Sequence, residues 1–308
     1  MSRSALVVGE ALIDEVVAPD GAVSRHPGGS PANVALGLGR LGVRTRLHTA
    51  IGADPDGDLI AAHLAASGVE LTALSRTAAP TSTATAQLAE DGSATYRFAL
   101  RWEPAAPADL GEPTLIHTGS VAAFLAPGAS VVREILERGR AEGALLSVDP
   151  NIRPSLLPDE RAVRRSFDDL LGEAHLVKLS DEDAASLYPG VPPEVVVDLL
   201  LTSGPRVAAI TLGGSGAILG SGAGRVRVPA VRTAVADTVG AGDSFMAALI
   251  HALAFAGRPW DGGPLSRELL AAAGTFAARA AAVTVSRPGA DLPTRRDLDD
   301  PSNLDARN

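Results

Sequence analysis

Apolar residues along this chain fall into short runs, and the material between the runs changes character twice. The opening ALVVGEALID reads as a strand that ends in a polar turn. In SPANVALGLGRLG the apolar positions take helical spacing, with Ser30 placed as an N-cap and Pro31 at the first helical position. RLHTAIG predicts a short strand, and DPDGDLIAAHLAASG predicts an amphipathic helix closed by Gly68. The texture then becomes alternating and rich in Thr. TSTATAQLAEDGSATYRFAL predicts a β-hairpin that turns at Asp91 and Gly92.

Beyond the Pro-rich EPAAPADLGEP come the short apolar runs TLIHTG, ALLSVDPN, AHLVKLS and RVAAITLG. Helical stretches such as SVVREILERGR and DERAVRRSFDDLLG separate them, which predicts βαβ units. SGAILGSGAGRVRVPA reads as a late hairpin, SFMAALIHALAFAG and SRELLAAAGTFAARAAA as the last helices, and the stretch from Pro288 as an extended exit. No internal repeat or long linker interrupts the pattern. The prediction is a single α/β domain over residues 1–308, doubly wound, with a mostly parallel sheet and helices on both faces. Segments of about 10–28 and 82–104 are expected to supply a small β lid. Ligands of such sheets bind beyond the carboxyl ends of the strands.

Composition narrows the chemistry. Of 308 residues 46% are hydrophobic but only 3% aromatic, so the core must come mostly from Ala, Val and Leu. A net charge of −9 argues against general affinity for nucleic acid or anionic membranes. Cysteine is absent, which excludes disulfides, thiolate zinc sites and a Cys nucleophile. Acids at Glu10 and Asp14 follow the N-terminal apolar run, no cleavage site follows it, and no apolar stretch is read as approaching a membrane span. The expectation is a soluble cytoplasmic protein. Lys178 is the only lysine, and no Walker-type GK[ST] loop exists, so a nucleotide would need another cradle.

That cradle is suggested by DTVGAGDSFMAALI at 237–250. Gly240 and Gly242, with Ala241 between them, permit a tight turn with unobstructed N–H groups. A helix beginning near Asp243 would add its own unpaired amides and the positive end of its dipole. Asp243 would then be held ionised, ready to accept a proton from an alcohol while the amides receive a phosphoryl group. A second Gly-rich block, HPGGSPANVALGLGRLG, carries Gly28 and Gly29 for close backbone approach and Asn33 for donating to and accepting from hydroxyls. Asp14 adds a carboxylate at a strand end. Either block alone has a plainer reading, a glycine turn and a helix cap; the pair favours chemistry.

Other patterns are set aside. GLGRLG at 37–42 matches G-x-G-x-x-G but falls inside a predicted helix, whereas a dinucleotide site needs the strand-to-helix turn. GDS at 242–244 has no Asp-x-x-His partner for an esterase. The six histidines show no metal-ligand spacing.

Taken together, GGSPANVALGLGRLG and DTVGAGDSFMAALI resemble the two signatures of the ribokinase-type (PfkB) carbohydrate kinases, and the resemblance covers essentially the whole chain. It implies an α/β sandwich with a β lid, ATP with Mg²⁺, and transfer of the γ-phosphate to a sugar hydroxyl. By position it implies Asp243 as base and Gly240, Ala241 and Gly242 as anion hole. Thr211, Gly213, Gly214 and Gly216 in TLGGSG match the nucleotide-binding turn, joined by Gly242; Lys178, Ser180 and Asp183 in VKLSDED match polar positions near the phosphates and their metal. Asp14, Gly28, Gly29 and Asn33 match sugar-binding positions. Asp237, the backbone of Val239 and Gly289 resemble a monovalent-cation loop, with K⁺ as its candidate ion.

Within the family, GEALIDE, GGSPANVALGL, VDPNIRPSL and KLSDED look most like fructokinases, with Phe98, Arg101 and Arg153 as candidates for sugar selection. DPNIR also occurs among 2-keto-3-deoxygluconate kinases, where the Arg lies near the substrate. The lid stretch YRFALRWEPAAPAD is longer than the usual aromatic-Arg spacing, and a frequent family Asn falls on Ala278. The alternatives are a ribose, 2-keto-3-deoxygluconate or nucleoside kinase, and, from another class, a protein that senses sugar without phosphorylating it. Sugar and ATP are the expected partners, without nucleic acid or membrane, and the lid edge is a candidate homodimer contact.

Overall fold

The structure, a computed structural model, describes residues 3–89, 93–157, 159–257, 260–263 and 265–299. Its first strand, β1 (Ser4–Val8), is buried throughout and sits inside a nine-stranded sheet. At Gly9–Ala11 the chain leaves that sheet and forms β2 (Leu12–Val17) and β3 (Val23–Gly28), an antiparallel pair. It returns as α1 (Ser30–Arg40) and β4 (Arg44–His48). A short β5 (Ile51–Gly52), α2 (Pro55–Ala65), β6 (Val69–Leu71) and β7 (Arg76–Thr77) follow. ALVVGEALID and RLHTAIG, each read as one strand, are therefore each divided between two sheets.

The hairpin expected at 81–100 is present as β8 (Thr83–Leu88) and β9 (Ala94–Ala99), while its turn at Asp91-Gly92 lies outside the described residues. The chain then alternates: β10 (Leu115–Gly119), α3 (Gly128–Ala141), β11 (Leu145–Asp149), α4 (Glu160–Glu173) and β12 (Leu176–Ser180). Next come α5 (Asp181–Leu187), α6 (Pro193–Thr202), β13 (Val207–Thr211), and the hairpin β14 (Ala217–Ser221) and β15 (Gly224–Val228). The last elements are α7 (Ala241–Ile250), α8 (Arg267–Val285) and a short α9 (Arg295–Asp299). The exit from Pro288, expected to be extended, thus contains a helical turn.

Strand order in the large sheet is β15-β14-β13-β12-β11-β10-β1-β4-β6, parallel except for the β13–β15 edge. Alternate residues of each strand enter opposite layers. Ala5, Val7, Leu115 and Ala209 join α1, α2, α7 and α8 in one core. Leu6 and Ile116 pack under α3, and Val177 and Ile210 pack under α5 and α6 on the other face. The chain winds outward from β1 toward β6 and then, starting at β10, toward β13, so the switch point lies between β1 and β10.

The segments 12–28 and 83–99 form a separate four-stranded sheet, β3-β2-β8-β9. Its register aligns His26, Asp14, Ala84 and Phe98 in one cross-strand row, so their side chains share a face. One further expectation needs correcting. Helix α8, 19 residues long, is apolar and long enough by length and composition to cross a membrane. Half of that stretch is buried inside the protein, where α8 packs against α7 and the β14–β15 hairpin; it is a core helix.

Candidate active site

Helix α7 begins two residues earlier than the sequence suggested, so Asp243 is its third residue rather than its start. Gly240 occupies the cap position with φ +77°, a left-handed conformation that glycine adopts without penalty. Ala241 N–H donates to the Thr238 carbonyl at 3.3 Å, so the bare amides are those of Gly242 and Asp243, which precede the helical ladder. The Asp243 side chain is buried, 7% exposed. Its Oδ1 accepts from Ser30 Oγ at 2.6 Å and its Oδ2 from Asn33 Nδ2 at 2.8 Å.

Both donors come from the first turns of α1. Ser30 is not a capping residue: Gly29 holds the cap, no side chain bonds there, and the Ser30 hydroxyl is spent on Asp243. Asn33, expected to address ligand hydroxyls with both its groups, has its amide committed to Asp243. The two helices approach closely because Gly37 faces Ala247, where a Cβ would come within 2.7 Å. Two glycines of the GLGRLG pattern therefore serve packing, Gly37 against α7 and Gly39 against the Ser67 carbonyl, while Gly42 turns the chain at φ +84°.

Above α1 the Gly28–Gly29 turn meets β2. A Cβ at Gly28 would overlap the Asp14 carboxylate, so that glycine leaves the room Asp14 occupies. Gly29, at φ +102°, lies against the Glu10 carbonyl. Burial raises the pKa of Asp14; His26 and Arg153 oppose the rise and the charge of Asp243 adds to it. Asp14 thus lies within the electrostatic reach of both Arg153 and Asp243. Arg153 is exposed, and its guanidinium donates to Asn151 Oδ1 at 2.6 Å. Phe98, 39% exposed, lies on the Asp14 face of the small sheet, while the backbone N–H of Arg101 is held by Ser82 Oγ at 3.0 Å.

Lys178, in the middle of β12, and Asp149, at the end of β11, form a buried ion pair with Nζ to Oδ2 at 2.6 Å. Burial works against the Lys178 ammonium, but Asp149, Asp183 and Asp243 outweigh it and hold its pKa above the ordinary value. Nζ stands 3.4 Å from where a Gly242 Cβ would sit, so the ammonium adjoins the bare amides. Ser180 and Asp183 form a capping box on α5, and the Asp183 carboxylate also accepts from Ile152 N–H at 2.8 Å. In the turn after β13, Gly213 and Gly214 face open space, whereas Gly216 is needed because a Cβ would overlap the Val228 carbonyl. Thr211 Oγ1 donates to the Leu179 carbonyl at 3.4 Å, outside that opening.

Asp237 ties two loops together, accepting from Val239 N–H at 3.1 Å and Gly289 N–H at 2.9 Å. Those amide bonds, Val239 first, lower its pKa. Among the described residues no group of three or more His, Asp or Glu side chains could hold a metal ion. Sequence reasoning passed over Glu10, whose carboxylate is buried at the end of β1, and Asp149; both stand in quoted motifs, but nothing local marked either as buried.

Adjacent carboxylate, ammonium and bare amides at the carboxyl end of a doubly wound sheet define an enzyme built for transfer of an anionic group. Comparison with known proteins makes the class specific. Residues 2–296 match the family model described as pfkB family carbohydrate kinase. A fructokinase of Salmonella typhimurium is 31% identical over 310 residues, covering 97% of this chain and 99% of the relative. The crystal structure of a fructokinase with bound ATP from Xylella fastidiosa superposes with TM-score 0.83 at 25% identity, over 99% of each chain. An aminoimidazole riboside kinase from Salmonella enterica gives 0.82 over 98% of this chain and 100% of its own, a likeness of fold at 22% identity. The chain belongs to the pfkB family of carbohydrate kinases, and its fold is ribokinase-like.

Proposed function

We propose that the protein phosphorylates fructose, transferring the γ-phosphoryl group of ATP to a primary hydroxyl. The hydroxyl oxygen bonds to the γ-phosphorus as the bond to the β,γ-bridging oxygen breaks, its proton passes to Asp243, and ADP leaves. One observation carries the reading: a buried carboxylate, oriented by Ser30 and Asn33, stands in the same helical turn as the bare amides of Gly242 and Asp243. The amides and the Lys178 ammonium would receive the charge that spreads over the phosphoryl oxygens.

Asp14, Gly28, Gly29 and Asn33 Oδ1 supply acceptors and clearance for sugar hydroxyls, with Phe98 contributed by the small sheet acting as lid and Arg101 by the chain just beyond β9. The nucleotide lies along the open Gly213–Gly214 turn, where absent Cβ atoms leave its path clear. Mg²⁺ would arrive with the phosphates and neutralise their charge, near Ser180 and Asp183. Backbone carbonyls of the loops that Asp237 joins, at Val239 and Gly289, would hold K⁺. The reading is of a cytoplasmic enzyme that dimerises through the edge of the small sheet.

The test is a coupled ADP-release assay over fructose, ribose, 2-keto-3-deoxygluconate and nucleosides. Fructose is expected to give the highest kcat/KM. Preference for the carboxylate-bearing acceptor, abolished in Arg153→Ala, would replace fructose by that sugar acid. Sugar binding with no ADP formed under any cation condition would mark a sensor instead.

A further inference from the structure

We propose that Glu10 is the positioning residue of the acceptor site, its carboxylate tying the chain crossing into the small sheet to the turn that follows β10. The inference rests on the acceptor site described above. Glu10 stands at the carboxyl end of β1, on the switch point of the large sheet, and is 7% exposed. Its Oε2 accepts from Ala122 N–H at 3.0 Å, and the Ser120 side chain is near enough to the same carboxylate to favour its charged form. Ser120 holds φ +52°, a left-handed conformation that a residue with a Cβ keeps only when its surroundings fix it. The Glu10 clamp is such a fixture.

The clamp reaches both routes into the small sheet. Residues 9–11 form the entry, and the Glu10 carbonyl packs against Gly29 at the return. On the exit side Trp102 donates Nε1–H to the Ala122 carbonyl at 3.0 Å, and its own carbonyl accepts from Gly128 N–H at 3.1 Å. One residue, Ala122, therefore meets Glu10 through its N–H and Trp102 through its C=O. Gly119 in the same turn packs on the Asp149 backbone, where a Cβ would overlap the carbonyl, and Arg153 acts electrostatically on Glu10. Asp14 and Gly28–Gly29 hang from this joint, whereas the Gly213–Gly214 turn does not. Loosening the joint moves the acceptor groups relative to Asp243 and leaves the nucleotide path alone.

Steady-state kinetics on Glu10→Gln, which keeps the shape but not the charge, test this. The KM for the accepted sugar is expected to rise about tenfold while the KM for ATP changes less than about twofold. Ser120→Ala, which removes the neighbouring hydroxyl and leaves Glu10 in place, should move the sugar KM in the same direction by a smaller factor, and it decides the matter if Glu10→Gln does not fold. Equal changes in the two KM values, or no change in either variant, would overturn the assignment. Wild-type protein run alongside separates the two readings. If it turns over no sugar, the proposed kinase activity and the Glu10 role fall together; if it turns over sugar and the variants keep its KM ratio, only the Glu10 role falls.

Discussion

Asn33 Nδ2 donates to Asp243 Oδ2 at 2.8 Å, joining the first turn of α1 to the first turn of α7 across 210 positions of sequence. That bond, with the one from Ser30, fixes which way the carboxylate faces. A carboxylate that accepts from two side chains on one flank is left to meet an alcohol on the other. The relation makes α1 part of the reaction centre rather than a neighbour of it.

Removing the Asn33 donor should therefore slow chemistry without unfolding the protein. Asn33→Ala is expected to lower kcat about 10- to 100-fold, the worth of one hydrogen bond to a charged group. Steady-state kinetics with the accepted sugar checks this, and kcat within about twofold of wild type would remove Asn33 from the account.

Gly28 offers a cleaner test of the acceptor side. No φ above zero demands glycine there; only the Asp14 carboxylate does. Gly28→Ala should displace that carboxylate and raise the sugar KM about tenfold, with the ATP KM unchanged. Equal KM values in variant and wild type would show that Asp14 lies outside the acceptor site.

Much of this arrangement was legible in the sequence, for physical reasons. Short apolar runs alternating with helical ones admit few folds, and the parallel sheet followed from them. Asp243 stood out only through the pairing of two Gly-rich blocks and their resemblance to two family signatures, since either block alone reads as a glycine turn and a helix cap. What escaped was non-local. Ser30 has the residue type and position of a cap, but its hydroxyl goes to a carboxylate 213 positions away. ALVVGEALID is apolar on both sides of Gly9, so its pattern does not reveal that the chain changes sheets there. Glu10 reads locally only as an acid after an apolar run; its carboxylate is met by the Ala122 N–H of the turn after β10, more than 100 residues later. Helix α8 is apolar enough for a membrane because half of it is buried in the protein's own core against α7 and the β14–β15 hairpin, which only packing reveals.

The core also carries a pH signature. His117, buried beside Ser147 at 3.0 Å, is pushed down to about 3 by burial, with the Lys178 charge adding to the shift. Its folded pKa lies below the ordinary 6.5, so the unfolded chain binds the extra proton first and stability falls as pH drops from about 6.5 toward 3. His117→Asn removes this contribution. Urea unfolding at several pH values should show wild type losing stability relative to the variant on acidification, at up to about 1.4 kcal/mol per pH unit. Parallel pH profiles for the two proteins would contradict a neutral buried imidazole.

The central claim is that Asp243 takes the acceptor's proton while the amides beside it receive the phosphoryl group. Measuring kcat for Asp243→Asn by ADP release, with sugar affinity followed by calorimetry, tests it most directly. With Asp243 as base, kcat should fall about a thousandfold or more while sugar affinity stays within about threefold of wild type. A variant that kept a tenth of the wild-type turnover would contradict it.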